Sequence, residues 1–166
     1  MTYKKKGMRA VGNPLGAEVR MKELGIDLPA PPAPFGSYVE AVQTGNLLYL
    51  SGMLPVVDYK PAYVGTLGLE LDTNAGRDAA RTAALGALAA AKHYLGTLDR
   101  IRRVVRLGVF MVTSGTVDQP AVADGASDML RDIFGEDSLP VRSVIGVASL
   151  PLGVPIELEI IFELNS

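Results

Sequence analysis

An α+β fold is predicted for this chain: one mostly antiparallel sheet of about five to six strands, with two helices packed on one of its faces. Three observations predict it. Two long segments, Thr73 to Tyr94 and Asp118 to Phe134, carry small and apolar residues between helix start and stop signals. The segments around them are short β-branched runs punctuated by Gly and Pro. Their order reads β-β-α-β-α-β-β, and two helices cover only a single face of a sheet of about five strands.

A length of 166 residues fits one domain that buries most of its apolar surface in a single core. We divide it into an N-terminal extension with a Pro-rich linker, residues 1–34, and a folded domain, residues 35–166. Hydrophobic residues make up 48% and charged residues 20%, a globular composition that argues against disorder. A net charge of −2 and a pI near 5.4 imply no strongly basic face, so neither nucleic acid nor an anionic membrane is an expected partner. The chain has no cysteine, which removes disulfides, thiolate nucleophiles and zinc–thiolate sites. With a single histidine, a metal site would depend almost wholly on carboxylates, and none is expected. The opening MTYKKKGMRAVGNPLG has the charge of a secretory leader without its apolar segment, and no run reaches the roughly 20 apolar residues of a membrane span. A soluble, cytoplasmic protein is expected.

The elements follow in order. Residues 1–28 show only a short helical pattern, Ala17 to Leu24, and read as an extension that covers or decorates the domain. Four prolines within Pro29 to Gly36 fix φ and predict an extended, polyproline-like linker. Tyr38 to Gln43 and Leu47 to Ser51 are β-rich runs joined by Thr44-Gly45-Asn46, a hairpin signature. Gly52 to Leu71, with two prolines and three glycines, reads as a long loop with short extended pieces, a length often tied to function. Thr73 to Tyr94 is a helix, with Asp72 or Thr73 as N-cap and Gly96 as terminator. Its alanines leave little bulk, so it should lie flat on a sheet, and His93 near its end is read as a helix-terminus histidine.

Ile101 to Thr113 is a long strand. At period two, Ile101, Val105, Leu107, Val109 and Met111 share one face, and Arg102, Arg106, Gly108 and Phe110 the other. Asp118 caps the second helix, which has Pro120 in its first turn and Gly135 as terminator. Val141 to Ala148 and Ile156 to Leu164 are the last strands; Ile156, Leu158, Ile160 and Phe162 point to the core, and Glu157, Glu159 and Glu163 away. The face without helices would then carry Arg102, Arg106, Phe110, Val144 and Ile161, too apolar to stay wet, so self-association through it is expected.

Two charges stand out. Arg142 and Glu157 each open an apolar run. A guanidinium is rarely taken out of water without a partner, and its rigid fork suits a carboxylate. Arg142 therefore either pairs inside the protein, with Glu157 or Glu159, or waits for an anionic ligand.

Several fragments extend this reading: Gly36-Ser37-Tyr38; Gly45-Asn46-Leu47 running into Ser51-Gly52-Met53-Leu54-Pro55; Pro140-Val141-Arg142-Ser143; Leu150-Pro151; and Ile156-Glu157-Leu158-Glu159. In this order, from about Phe35 to Glu163, the chain resembles the Rid family of reactive intermediate deaminases, also called YjgF-like. The resemblance implies a chorismate-mutase-like α+β fold, a homotrimer with sites between subunits, and no cofactor. It implies that Arg142 holds the carboxylate of a 2-imino acid and that Glu157 positions or activates the attacking water. Tyr38, Ser51 and Gly52 would line the pocket, and ammonia and a 2-keto acid would be the products. Three further positions attributed to the pocket depart from the family pattern: Met53 stands where glutamine is usual, Val144 where the best-known deaminases have cysteine, and Asp124 where asparagine is frequent. Together with the residues before Phe35, these place the resemblance closest to a longer, less characterised branch.

The implied chemistry suits the residues. Hydrolysis of a C=N bond needs a carboxylate anchor, an aimed water and a proton carrier, and an iminium is electrophilic enough to dispense with metal or covalent nucleophile. A non-catalytic trimer that binds small carboxylates is the alternative. RNA cleavage, named in older family labels, lacks a basic aromatic platform or a histidine pair, and chorismate mutase activity rests on fold analogy alone.

Overall fold

The structure is a computed structural model, and residues 15–166 are described. Helix α1, Ala17–Glu23, precedes the linker. Strands β1, Ala41–Thr44, and β2, Leu47–Leu50, form a hairpin closed by Gly45 and Asn46, with Gly45 at φ 57°. The following loop contains a two-residue hairpin, β3, Val56–Val57, and β4, Lys60–Pro61. Then come α2, Thr73–Leu95; β5, Ile101–Val112; α3, Gln119–Phe134; β6, Val141–Val147; and β7, Ile156–Leu164. The main sheet has five strands in the order β1-β2-β7-β5-β6. All neighbours are antiparallel except β5 and β6, whose parallel pairing requires the α3 crossover. This is the predicted class.

The helices begin and end where side chains can satisfy the orphan backbone groups. Asp72 accepts from Ala75 N at 2.8 Å and Asp118 from Ala121 N at 3.0 Å, and Gly96 and Gly135 end α2 and α3 at positive φ. The two helices pack together on one face of the sheet. Gly125 makes that approach possible, because a Cβ there would run into the backbone carbonyl of Arg77. Ala79, Ala80, Ala83, Ala84, Ala87 and Ala91 are fully buried beneath them. Bulk comes from Leu88, Leu130, Ile133 and Phe162, each worth about 1.5–3 kcal/mol on full burial, and Phe162 packs at 6.1 Å between ring centroids on Phe134.

Helix α1 belongs to this core. Ala17 and Met21 are buried in it. Glu18 accepts from Lys92 Nζ at 2.7 Å and from Leu98 N at 3.0 Å, and Arg20 Nε donates to Asp132 O at 3.0 Å.

Two expectations about faces are corrected. The period-two reading of β5 placed Val105 inward; the buried residue is Val104, because register irregularities between Ile101 and Arg103 and between Val104 and Arg106 shift the phase of the strand. The same shift sets Arg103 against Glu163 at 3.0 Å. Val144 was assigned to the open face, yet it pairs with the buried Val109 and packs against the core on the helix-covered side. The open face is instead formed by Arg106, Phe110, Ile145 and Ile161, with the acids of β7.

Candidate functional site

β7 presents its buried residues to the helices, so Glu157, one step out of phase, stands on the open face opposite Phe110 of β5. The chain after β2 passes beside it. Gly52 has no side chain, and a Cβ there would collide with the Glu157 carboxylate, so the two can occupy adjoining space only because residue 52 is glycine. Tyr38, Ser51 and Gly52 join Glu157 in one cleft of about 410 Å³, with Phe35 and Leu152 on its rim. Leu152 reaches that rim from the turn Pro151–Gly153 in a left-handed conformation, φ 57°.

The polar groups of the cleft are held differently. Ser51 Oγ donates to Val39 O at 2.6 Å and so braces the strand entry. Tyr38 OH accepts from Phe35 N at 2.9 Å, closing a small turn that also ends the hairpin; β1 consequently starts at Ala41 rather than at Tyr38. The Glu157 carboxylate has no hydrogen-bond partner among the described residues. Burial first, and the like charge of Glu159 second, push its carboxyl above its ordinary value.

Arg142 lies elsewhere. It pairs with the buried Leu107 in the β5–β6 ladder, so its side chain rises on the helix-covered side, at the β6 edge of the sheet. Its Nη1 donates to Asp124 Oδ1 at 2.6 Å and to Ser127 Oγ at 2.9 Å. The side chain keeps 26% exposure, and its Nε and Nη2 make no hydrogen bond among the described residues. The partners considered from sequence are not used: Glu159 faces Arg106 at 3.5 Å, and Glu157 is on the other face of the sheet. Val144, two residues on, shares the side of Arg142.

One chain thus carries two separate groups. Tyr38, Ser51, Gly52 and Glu157 meet in the cleft; Arg142, Asp124 and Val144 gather at the β6 edge. Met53, expected in the pocket, is 2% exposed and pairs with Leu158 through both backbone bonds, so its side chain belongs to the core. Sequence reasoning missed Ser127, although it lies three residues after Asp124 on a helix and therefore on the same side. Among the described residues no group of three or more His, Cys, Asp or Glu is placed to hold a metal ion, and no helix is long and apolar enough to cross a membrane.

A family model described as "YjgF/chorismate mutase-like, putative endoribonuclease" matches residues 18–163. The chain belongs to this YjgF-like, or Rid, family. The match begins inside α1, in line with the burial of Ala17 and Met21. Protein TCP17 of Trypanosoma cruzi is 41% identical over 148 residues, covering 88% of this chain and 92% of that protein. A 2-iminobutanoate/2-iminopropanoate deaminase of Dermatophagoides farinae is 30% identical over 134 residues, 81% of this chain and 91% of that one. Among solved structures, a Shewanella oneidensis protein carrying the endoribonuclease description superposes with a TM-score of 0.85 at 32% identity, over 90% of this chain and 99% of that one. The family's chorismate-mutase-like α+β fold is therefore the fold of this chain.

Proposed function

We propose that this YjgF-like protein is an enamine/imine deaminase that hydrolyses small 2-imino acids, with its site completed between subunits of a homotrimer. The observation that carries this reading is Glu157: a half-buried, unpartnered carboxylate seated over Gly52 in a cleft with Tyr38 and Ser51. Its raised proton affinity suits a group that must take a proton from water and return it. The Arg142 group supports the same reading from the other side of the sheet, since Nη1 is anchored while Nε and Nη2 remain open for a carboxylate.

In this mechanism, the β6 edge of one subunit faces the cleft of its neighbour. Arg142 grips the substrate carboxylate, an interaction worth about 1.5–3 kcal/mol. Glu157 draws a proton from a water as its oxygen bonds to the imine carbon. The proton passes to nitrogen, the C–N bond breaks, and ammonia leaves a 2-keto acid. Water supplies both the new carbonyl oxygen and the protons carried away on nitrogen, so no redox partner is needed.

The test is to generate 2-iminobutanoate or 2-iminopropanoate in situ and follow keto-acid formation. The parent accelerates it over buffer; Arg142→Ala loses about 10- to 150-fold in kcat/KM, and Glu157→Gln about 100-fold or more. No acceleration, with Arg142→Ala matching the parent, removes the proposal.

A second reading, a trimer that binds small carboxylates without turnover, is favoured by the contact between Asp124 and Arg142, which half-neutralises the anchor. Binding of 2-ketobutanoate in a calorimeter, without catalysis, selects it. RNA cleavage has less support: the family description and the Shewanella oneidensis protein carry that label, but a net charge of −2 and a pI near 5.4 do not favour binding to a phosphate backbone.

A further inference from the structure

The Pro-rich linker has a use that the deaminase reading leaves unexplained. Residues Pro29 to Ala33 form one wall of a second, smaller cavity, of about 70 Å³, bounded on its other sides by the chain after β2, the β3–β4 hairpin and Gly86 of α2 and partly open to solvent. Its chemistry is one-sided. Three aromatic residues, Phe35, Tyr38 and Tyr59, and two carboxylates, Glu40 and Asp58, line it, and among the described residues no lysine, arginine or histidine does. Neither carboxylate has a hydrogen-bond or ion-pair partner among the described residues. Burial holds the Glu40 carboxyl above its ordinary value, the response of an acid that lacks a counter-charge.

The hairpin tip adds an independent sign. Asp58 and Tyr59 both have positive φ, 50° and 61°. Two-residue turns of this kind favour Gly at the second position, and a tyrosine there is held against its own backbone preference. The residue that bears this strain also forms part of the cavity wall.

We propose that this cavity is a binding site for a small organic cation, a primary ammonium on a short apolar body, with Glu40 as its counter-ion. The aromatic walls favour a cation in the same way, since ring faces attract positive charge within about 6 Å. Asp58, Tyr38 and Tyr59 are the other titratable groups facing Glu40 across the cavity, and none of them can carry a positive charge. Phe35, Tyr38, Gly52 and Leu54 line this cavity and the Glu157 cleft alike, so occupancy of one is felt at the wall of the other.

The test is a titration of the full chain near neutral pH with n-butylamine and, as neutral control, n-butanol, followed by backbone amide NMR shifts. The amine is expected to bind at least tenfold tighter than the alcohol, with shifts centred on Glu40, Tyr59 and Gly86. Glu40→Gln removes that preference. Gly86→Leu, at a position where an added Cβ meets nothing within 4 Å, fills the floor and weakens both ligands while the helix stays intact. Equal binding of amine and alcohol, no binding of either, an unchanged preference in Glu40→Gln, or shifts centred on Ser51 and Glu157 would each overturn the proposal. Binding of 2-ketobutanoate by the same variants is read separately, so failure here and failure of the deaminase reading are distinguishable.

Discussion

Asp124 sets how firmly Arg142 can hold a ligand. At 2.6 Å it fixes one guanidinium nitrogen, and it also places a negative charge beside the position a substrate carboxylate would take. Because that charge competes with the ligand, Asp124→Asn is expected to tighten 2-ketobutanoate binding about two- to fivefold, the worth of a partly exposed ion pair. Unchanged or weaker binding by calorimetry would show that Asp124 serves mainly to orient the arginine. The pH dependence belongs to Glu157. Burial and Glu159 raise its proton affinity, so as a base it is lost as pH falls through a value above the ordinary carboxylate range near 4.3. The acid limb of kcat/KM should therefore sit above that range and move to lower pH in Glu159→Gln. Both charged residues were legible because charge is costly in apolar strands. That they stand on opposite faces was not, since this depends on strand register and on a helix partner eighteen positions away in sequence.

At the scale of elements, helices were the most legible parts, because their start and stop signals are local. Asp72, Asp118, Gly96 and Gly135 all occupy the positions predicted for them. The interior of β5 was less so: two register irregularities depend on the pairing partner β7 and leave no mark in a two-residue period. The crossing of α2 and α3 also turns on a residue that local pattern undervalues. Gly125→Ala should destabilise the fold by about 1–3 kcal/mol in denaturant unfolding, although alanine is the better helix former, because its Cβ would displace the backbone of Arg77.

For the whole molecule, β6 is an edge strand of the sheet, and among the described residues helices α2 and α3 pack on only one of its faces. The two groups of site residues lie on opposite sides of that sheet, so a deaminase built from them depends on association. Activity per chain should fall on dilution in step with loss of a trimeric mass by light scattering. Dilution-independent activity of a monomer would exclude the shared site. The extension is tied by a separate contact. Although burial opposes it, pairing with Lys92 and donation from Leu98 N hold the Glu18 carboxyl below its ordinary value, so this contribution to stability is present above the unfolded pKa and fades as pH falls through the folded one. Lys92→Ala should lower stability by less than about 1 kcal/mol and quicken limited proteolysis in the linker.

The missing side chain at residue 52 also restricts how such a protein can diverge. A side chain there displaces the Glu157 carboxylate from its present position, so a change at residue 52 alters the acid together with the floor of the cleft. New preferences for bulkier or smaller ligands are therefore expected at the apolar lining, Phe35, Leu54 and Leu152, rather than at residue 52.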